Sequence, residues 1–365
     1  AGEGGGFEIS AVVSQPAARS GRKKKLTPSP VAQLAEREGI ELLTPVSAKD
    51  EDFLKRLEEI APDLCVTAAY GCFLPQCFLD LPRLGTLNVH PSLLPLYRGA
   101  APLQRCLESG DEVTGVTVAF TVLKMDAGPI LRQETRSLDG SEQEPELLME
   151  MFERGTRLLI SALPSVWDGS CKSVLTPQDD SRATKAPKLA VTDAELRLDS
   201  LSAMQAHNKV RAFAGWPGTW TLIRMGDGTE PVRAKLLHTR VGAPDMDDSQ
   251  PPTGEDARRV SFARPTNALR LRCGDGSILE VTRLTLPGKK PVDAKAFWNG
   301  LNGRPAWWEV APSPQEVEAP RQLCEPSGSS TPTHAPDATA RSLKRSGAVA
   351  TEAPPPKGFK WGDTY

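Results

Sequence analysis

The stretch Leu84-Gly-Thr-Leu-Asn88-Val-His90-Pro-Ser92-Leu-Leu-Pro95-Leu-Tyr-Arg-Gly-Ala-Ala-Pro102 decides how this chain is read. Its apolar start predicts a strand, and Pro91 ends that strand directly after His90 because proline has no N–H for a sheet ladder. Residues two apart on a strand share a face, so Asn88 and His90 point one way and Val89 the other. In a parallel α/β sheet, ligands bind at the carboxyl ends of the strands. A second strand, 115–122, runs into Leu123-Lys-Met-Asp126-Ala-Gly128 and is expected to bring a carboxylate to the same rim. Asn and Asp are also common turn residues, and a His beside proline is often a packed or capping group, so spacing alone leaves both readings open.

Outward from that stretch, short β-rich runs at 7–14, 41–45, 64–69, 84–89 and 115–122 alternate with helical periodicity at 30–37 and 48–60. This alternation predicts an α/β, Rossmann-like domain with a parallel-rich sheet over residues 1–167. A longer amphipathic stretch, 142–167, is interrupted by Pro145 and Pro164, which leaves its ends open. Residues 168–190 are polar and turn-rich and read as an extended linker. A helix near 200–213 is followed by alternating runs at 219–225, 231–241, 258–262, 268–273 and 278–286, which predict a small antiparallel, OB-like β-barrel within 191–305. Nine of the 33 prolines fall in the last 55 residues, where periodicity disappears, so 311–365 is expected to be a disordered tail.

The chain has 365 residues, a net charge of −2 and no apolar run of membrane-spanning length, which excludes a transmembrane helix. Its seven cysteines form no CxxC pair and its four histidines do not cluster, which argues against a structural zinc site, a disulfide framework or any metal centre. Gly2 to Gly6 precede a strand instead of following one, so they are not a dinucleotide fingerprint. Two regions depart from the near-neutral total. Arg19-Ser-Gly-Arg22-Lys23-Lys24-Lys25 places five positive charges in seven residues, and 201–303 carries 15 Lys and Arg against 10 Asp and Glu. Such patches suit nucleic acid, although a basic loop is more often simply solvated.

The run from Asn88 to Pro102, with Thr114-Gly-Val-Thr-Val and Met125-Asp-Ala-Gly, resembles the folate-dependent formyltransferases, most closely those that act on methionyl initiator tRNA. Segments 15–30, 68–75, Lys209-Val-Arg-Ala-Phe-Ala-Gly-Trp-Pro-Gly218 and Leu286-Pro-Gly-Lys-Lys290 extend the resemblance over roughly residues 7–305. The resemblance implies that Asn88, His90 and Asp126 are catalytic and that 10-formyltetrahydrofolate is the formyl donor. An amine attacking the formyl carbon creates an oxyanion, which Asn88 and His90 are expected to stabilise as donors. Asp126, by favouring protonated imidazole and with an ordered water, is expected to relay the released proton. The resemblance further implies folate contacts from Ser92, Leu93, Leu94 and Pro95, and from Tyr70, Phe73, Leu74 and Gly128, and tRNA contacts from Arg22, Lys23, Lys24 and Lys25. Without it, Phe73, Leu93 and Leu94 read as core.

A formyl-folate hydrolase resembles the same Asn, His and Asp set, and a catalytically inactive RNA-binding relative is a third reading. The basic 19–25 loop and all three polar residues favour the transferase. The expected partners are methionyl initiator tRNA and folate, without a membrane, for a monomer. The pattern including Phe297-Trp-Asn-Gly-Leu301 and the Pro-rich tail resembles plant or algal organellar enzymes more than bacterial ones, which implies a mitochondrial or other organellar matrix, or the cytoplasm if bacterial. The resembling proteins begin with a strand, turn and helix before the counterpart of Phe7. This chain is accordingly expected to be a truncated form that folds poorly or is inactive, an expectation that cooperative unfolding with full turnover of residues 1–365 would refute.

Overall fold

The computed structural model describes residues 6–20, 25–244 and 253–311, and residues up to Ala311 form one compact unit. The tail expected to be disordered lies, from 312 on, outside the described residues.

Strand β1 (Ala11–Val13) leads into a hairpin, β2 (Ala18–Ser20) and β3 (Lys25–Thr27), so the two arms of the basic loop are paired strands. Helix α1 (Pro30–Glu38) starts where Ser29 accepts from the Ala32 N–H, with proline in the first turn where no N–H partner is lost. After β4 (Glu41–Leu43), Asp50 caps α2 (Glu51–Ile60), which buries Phe53 and Leu57. Next come β5 (Cys65–Thr67), α3 (Gln76–Leu79), β6 (Thr86–His90), the short β7 (Arg98–Gly99), α4 (Pro102–Ser109), β8 (Val113–Phe120) and β9 (Ile130–Ser137).

Helix α5 (Glu144–Trp167) is continuous, contrary to the interruption expected from its prolines. Pro145 sits in the first turn, where no N–H partner is lost, and Pro164 in the last, where it removes a single N–H bond and leaves no further turns to disrupt. Gly155 lets this helix approach the sheet, since a Cβ there would stand 2.4 Å from Val89 and 2.7 Å from Val116 side-chain atoms.

The Rossmann-like sheet carries the expected parallel pairs together with an antiparallel edge. β5 and β6 are parallel, but β8 and β9 add antiparallel to give the order β5-β6-β8-β9, while β1 and β4 pair separately and in parallel. Strand β9 and helix α4 were not legible as separate elements because their apolar residues are few and their ends lie in turns.

The 168–190 segment is not a free linker. Thr176 bridges to Ile130, and β10 (Lys185–Ala186) pairs in parallel with β7, so the segment is strapped across the N-terminal half. Helix α6 (Ala203–Ala212) then begins with a Ser202/Gln205 capping box and is buried on two sides. Its Ala203, Ala206 and Val210 join the barrel core, whereas Ala212 and the following Phe213 join the apolar cluster of Leu87, Val89, Leu103 and Leu107.

The barrel comprises β11 (Thr219–Met225), β12 (Val232–Gly242), β13 (Ser261–Ala263), β14 (Ala268–Arg272), β15 (Ile278–Thr285), β16 (Val292–Asp293), α7 (Ala294–Gly300) and β17 (Ala306–Glu309). Its path β13-β14-β15-β12-β11-β17 is antiparallel, and the Val260 N–H donating to the Ala306 carbonyl nearly closes the ring.

Candidate active site

Asn88 and His90 emerge from the same face of β6, while Val89 packs on the opposite side against α5. Asp126 reaches them by a different route from the one expected. Because β8 runs antiparallel to β6, pairing His90 with Thr117 and Leu87 with Phe120, its carboxyl end leaves beside the beginning of β6. The β8–β9 connection then turns back and delivers the carboxylate. Asp126 adopts φ 49°, the left-handed region that few non-glycine residues occupy and that Asp tolerates better than most.

One carboxylate oxygen links the three groups. Asp126 Oδ1 lies 3.5 Å from Asn88 Nδ2 and 3.8 Å from His90 Nδ1, and Oδ2 accepts from the Gly99 N–H at 2.9 Å. Asn88 Oδ1 accepts from the Thr67 hydroxyl at 2.8 Å, which orients the amide so that its NH2 faces Asp126. His90 Nε2 is 3.0 Å from the Tyr97 carbonyl. A carbonyl only accepts, so Nε2 carries a hydrogen, and Nδ1 is the nitrogen that faces the carboxylate.

Burial pushes the His90 pKa below the ordinary histidine value; Asp126 and the Tyr97 carbonyl pull it the other way with smaller effect. Asp126 thus favours the protonated ring, in the direction expected, but burial acts more strongly the other way. The ring is 4% exposed, and withdrawing its cation from water outweighs one carboxylate 3.8 Å away.

The expected ligand-contacting residues divide into groups. Ser92 and Leu94 are buried, and the Ser92 hydroxyl donates to the Leu96 carbonyl at 2.7 Å, so both side chains shape the loop itself. Thr117 ties that loop to β8, accepting from the Leu94 N–H at 3.2 Å and donating to the Ser92 carbonyl at 2.6 Å. Leu93 lies against Gly115 of β8, and Pro95 is half-buried. Leu74 is in the small core of α2 and α3, and Gly128 is buried. Phe73, in contrast, is 57% exposed, and Val122, Leu123 and Met125 on the Asp126 loop are also exposed. The Tyr70 hydroxyl is buried without a hydrogen-bond partner among the described residues. Val122, Leu123 and Met125, uncovered apolar side chains beside Asp126, are the kind of surface that a flat heteroaromatic ligand covers. Lys25 is exposed on β3, while Arg22, Lys23 and Lys24 lie outside the described residues.

Sequence reasoning missed Thr67, Tyr97, Gly99 and Gln178. Gly99 follows β-type pairing with the strap so closely that a Cβ would stand 2.5 Å from the Ala186 carbonyl oxygen. Tyr97 and Gly99 lay within the quoted motif and carried a signal; Gln178, in a segment read as linker, carried none.

A formyl transferase family model matches residues 2–163, and a formyl transferase C-terminal domain model matches 188–302. Methionyl-tRNA formyltransferase from Streptomyces avermitilis is 37% identical over 298 residues, covering 81% of this chain and 90% of that protein. The enzyme of the same name from Streptomyces griseus is 41% identical over 294 residues, covering 80% and 89%. Among solved structures, an N-formyltransferase from Helicobacter canadensis in complex with folinic acid and dTDP-3-aminofucose is similar with a TM-score of 0.51 at 12% identity, over 75% of this chain and 99% of that one, a likeness of fold. With a match that runs through both halves and leaves little of the relatives' length uncovered, the chain belongs to the formyl transferase family, and within it to the methionyl-tRNA formyltransferases.

Proposed function

We propose that the protein transfers the formyl group of 10-formyltetrahydrofolate to the α-amino group of methionyl initiator tRNA, for translation initiation. The observation that carries the chemistry is the convergence of Asn88 and His90 on one carboxylate oxygen of Asp126, with His90 Nδ1 facing it.

10-Formyltetrahydrofolate supplies, when bound, an electrophilic formyl carbon attached to a nitrogen that can leave. Phe73, Tyr70 and the exposed apolar residues of the 122–125 loop are the groups that would hold its ring. His90, neutral at rest, takes at Nδ1 the proton that the amine loses as its nitrogen bonds to carbon. The imidazolium so formed is stabilised by Asp126 and becomes a donor, and with the Asn88 NH2 it stabilises negative charge on the formyl oxygen. His90 then returns the proton to the departing nitrogen. Asp126 makes the buried cation tolerable without holding the ring charged beforehand.

The macromolecular half of the reading is supported by the exposed hairpin that carries Lys25 and by the excess of 15 basic over 10 acidic residues across 201–303. Arg22, Lys23, Lys24 and Lys25 would meet the acceptor end of the tRNA, with phosphate contacts that weaken with salt. A monomer is sufficient, since all three converging residues come from one chain.

The test is to incubate the protein with 10-formyltetrahydrofolate and charged initiator tRNA, measuring formyl-methionine and free formate separately. Formyl-methionine that depends on both substrates is the expected result. Formate released without tRNA would replace this reading with a hydrolase.

A further inference from the structure

Gln178 lies in the strap between the two halves, 52 residues from the carboxylate it bears upon. Its side-chain amide is fully engaged. Nε2 donates to the Asp126 carbonyl at 2.8 Å and to the Gly128 carbonyl at 2.7 Å, while Oε1 accepts from Arg98 Nε at 3.0 Å and from an Arg98 terminal nitrogen at 2.8 Å. Four bonds of matched polarity leave one orientation for the amide, with both N–H groups on the Asp126 loop.

The loop needs such an anchor. Asp126 sits at φ 49°, and a non-glycine residue stays in that region only when its surroundings impose it. Its neighbours Val122, Leu123 and Met125 are exposed and provide little packing to hold the backbone. The other end of the anchor is itself fixed, because Arg98 and Gly99 pair with Lys185 and Ala186 and the remaining Arg98 terminal nitrogen reaches Asp180 at 2.8 Å. Gly99 also donates its N–H to Asp126 Oδ2. Asp126 is therefore gripped from two directions, by its main chain through Gln178 of the strap and by its carboxylate through Gly99 of β7, which the strap holds by pairing.

We propose that Gln178 is a positioning residue for formyl transfer: it holds the Asp126 loop so that the carboxylate faces Asn88 and His90. This rests on the formyl-transfer reading given above, whose own test is the wild-type reaction. Gln178 touches none of Asn88, His90 or the Asp126 carboxylate, and acts through the Asp126 and Gly128 carbonyls.

Gln178→Glu separates this role from a merely structural one. It keeps the two acceptor positions for Arg98 and the size of the side chain but removes both N–H donors and sets a carboxylate against two carbonyls. The expected result is a kcat lower by about 10–10²-fold, since displacement of a catalytic group by ~1 Å has that order of effect, with KM for both substrates within about threefold and thermal unfolding unchanged. Without any substrate present, amide hydrogen exchange in the 123–128 loop should become faster in this variant while β6 and α5 stay protected. Wild-type kcat together with unchanged exchange in that loop would overturn the proposal. If Gln178→Glu does not fold, Gln178→Ala is read by the same two measurements. A wild-type protein without formyl transfer would defeat the functional reading, while the exchange measurement would still decide whether Gln178 holds the loop.

Discussion

Glu280 in the barrel and His90 in the catalytic half are both buried polar side chains, at 2% and 4% exposure, and their surroundings differ in kind. Glu280 is fully engaged, with Arg240 donating to it at 2.8 Å, Arg270 at 3.3 Å and the Thr266 hydroxyl at 3.1 Å. His90 uses one nitrogen on the Tyr97 carbonyl and keeps the other 3.8 Å from a carboxylate, beyond an ordinary hydrogen bond. Asn88 likewise has its oxygen engaged by Thr67 and its NH2 only loosely met at 3.5 Å. A buried group whose every capacity is met holds structure together. One that keeps a lone pair or a donor in reserve is available for chemistry.

The comparison is tested most severely by removing the reserve. His90→Ala or Asp126→Ala should lower formyl transfer by about 10²–10⁴-fold, with thermal unfolding little changed. Rates within twofold of wild type would remove the residue from the site. Glu280→Ala should do the reverse. It takes a buried acceptor away from Arg240, Arg270 and Thr266 and should cost about 1–3 kcal/mol of stability in denaturant unfolding, with kcat retained at temperatures where the variant is folded.

A loss of similar size is expected from Gly155→Ala. Its methyl group would meet Val89 and Val116 side chains, so overpacking should destabilise by about 1–3 kcal/mol and, by shifting β6, lower kcat as well. Loss of stability with unchanged kcat would show that the positions of Asn88 and His90 do not depend on the packing of α5.

Proton linkage gives the next test. His90 and His207 are both held below the usual histidine range, chiefly by burial. His207 joins the halves, with Nε2 donating to the Gly140 carbonyl at 2.9 Å and Nδ1 accepting from the Thr239 hydroxyl at 3.0 Å. Between the depressed folded pKa and ~6.5 the unfolded chain binds more protons, so stability from both groups falls as pH drops below ~6.5 and is complete above it. Urea unfolding from acid to neutral pH should show that slope, and His207→Gln should flatten part of it without altering kcat at neutral pH. The smallest expected change is for Lys25→Ala on the exposed hairpin, which should reduce the slope of log affinity for tRNA against log salt by about 1. An unchanged slope would exclude a phosphate contact at that residue.

Much of the architecture was legible because it rests on local rules. The helical periodicity at 30–37 and 48–60 and the alternation through 219–225 and 278–286 declare their elements without reference to neighbours. The pairing direction of β8 was not legible, since a buried strand reads the same whether its partner is parallel or antiparallel. Nor was Gln178, whose role depends on carbonyls 50 and 52 residues away.

The amino-acid sequence by itself placed Asn88 and His90 on one face of a strand ended by Pro91, because strand periodicity and the missing proline N–H act within a few residues. Only the tertiary structure decided that Asp126 comes back from the far end of β8, that the strap holds its loop there, and that burial lowers the His90 pKa. Each depends on which groups are excluded from water together, and that is a property of packing between segments distant in the chain.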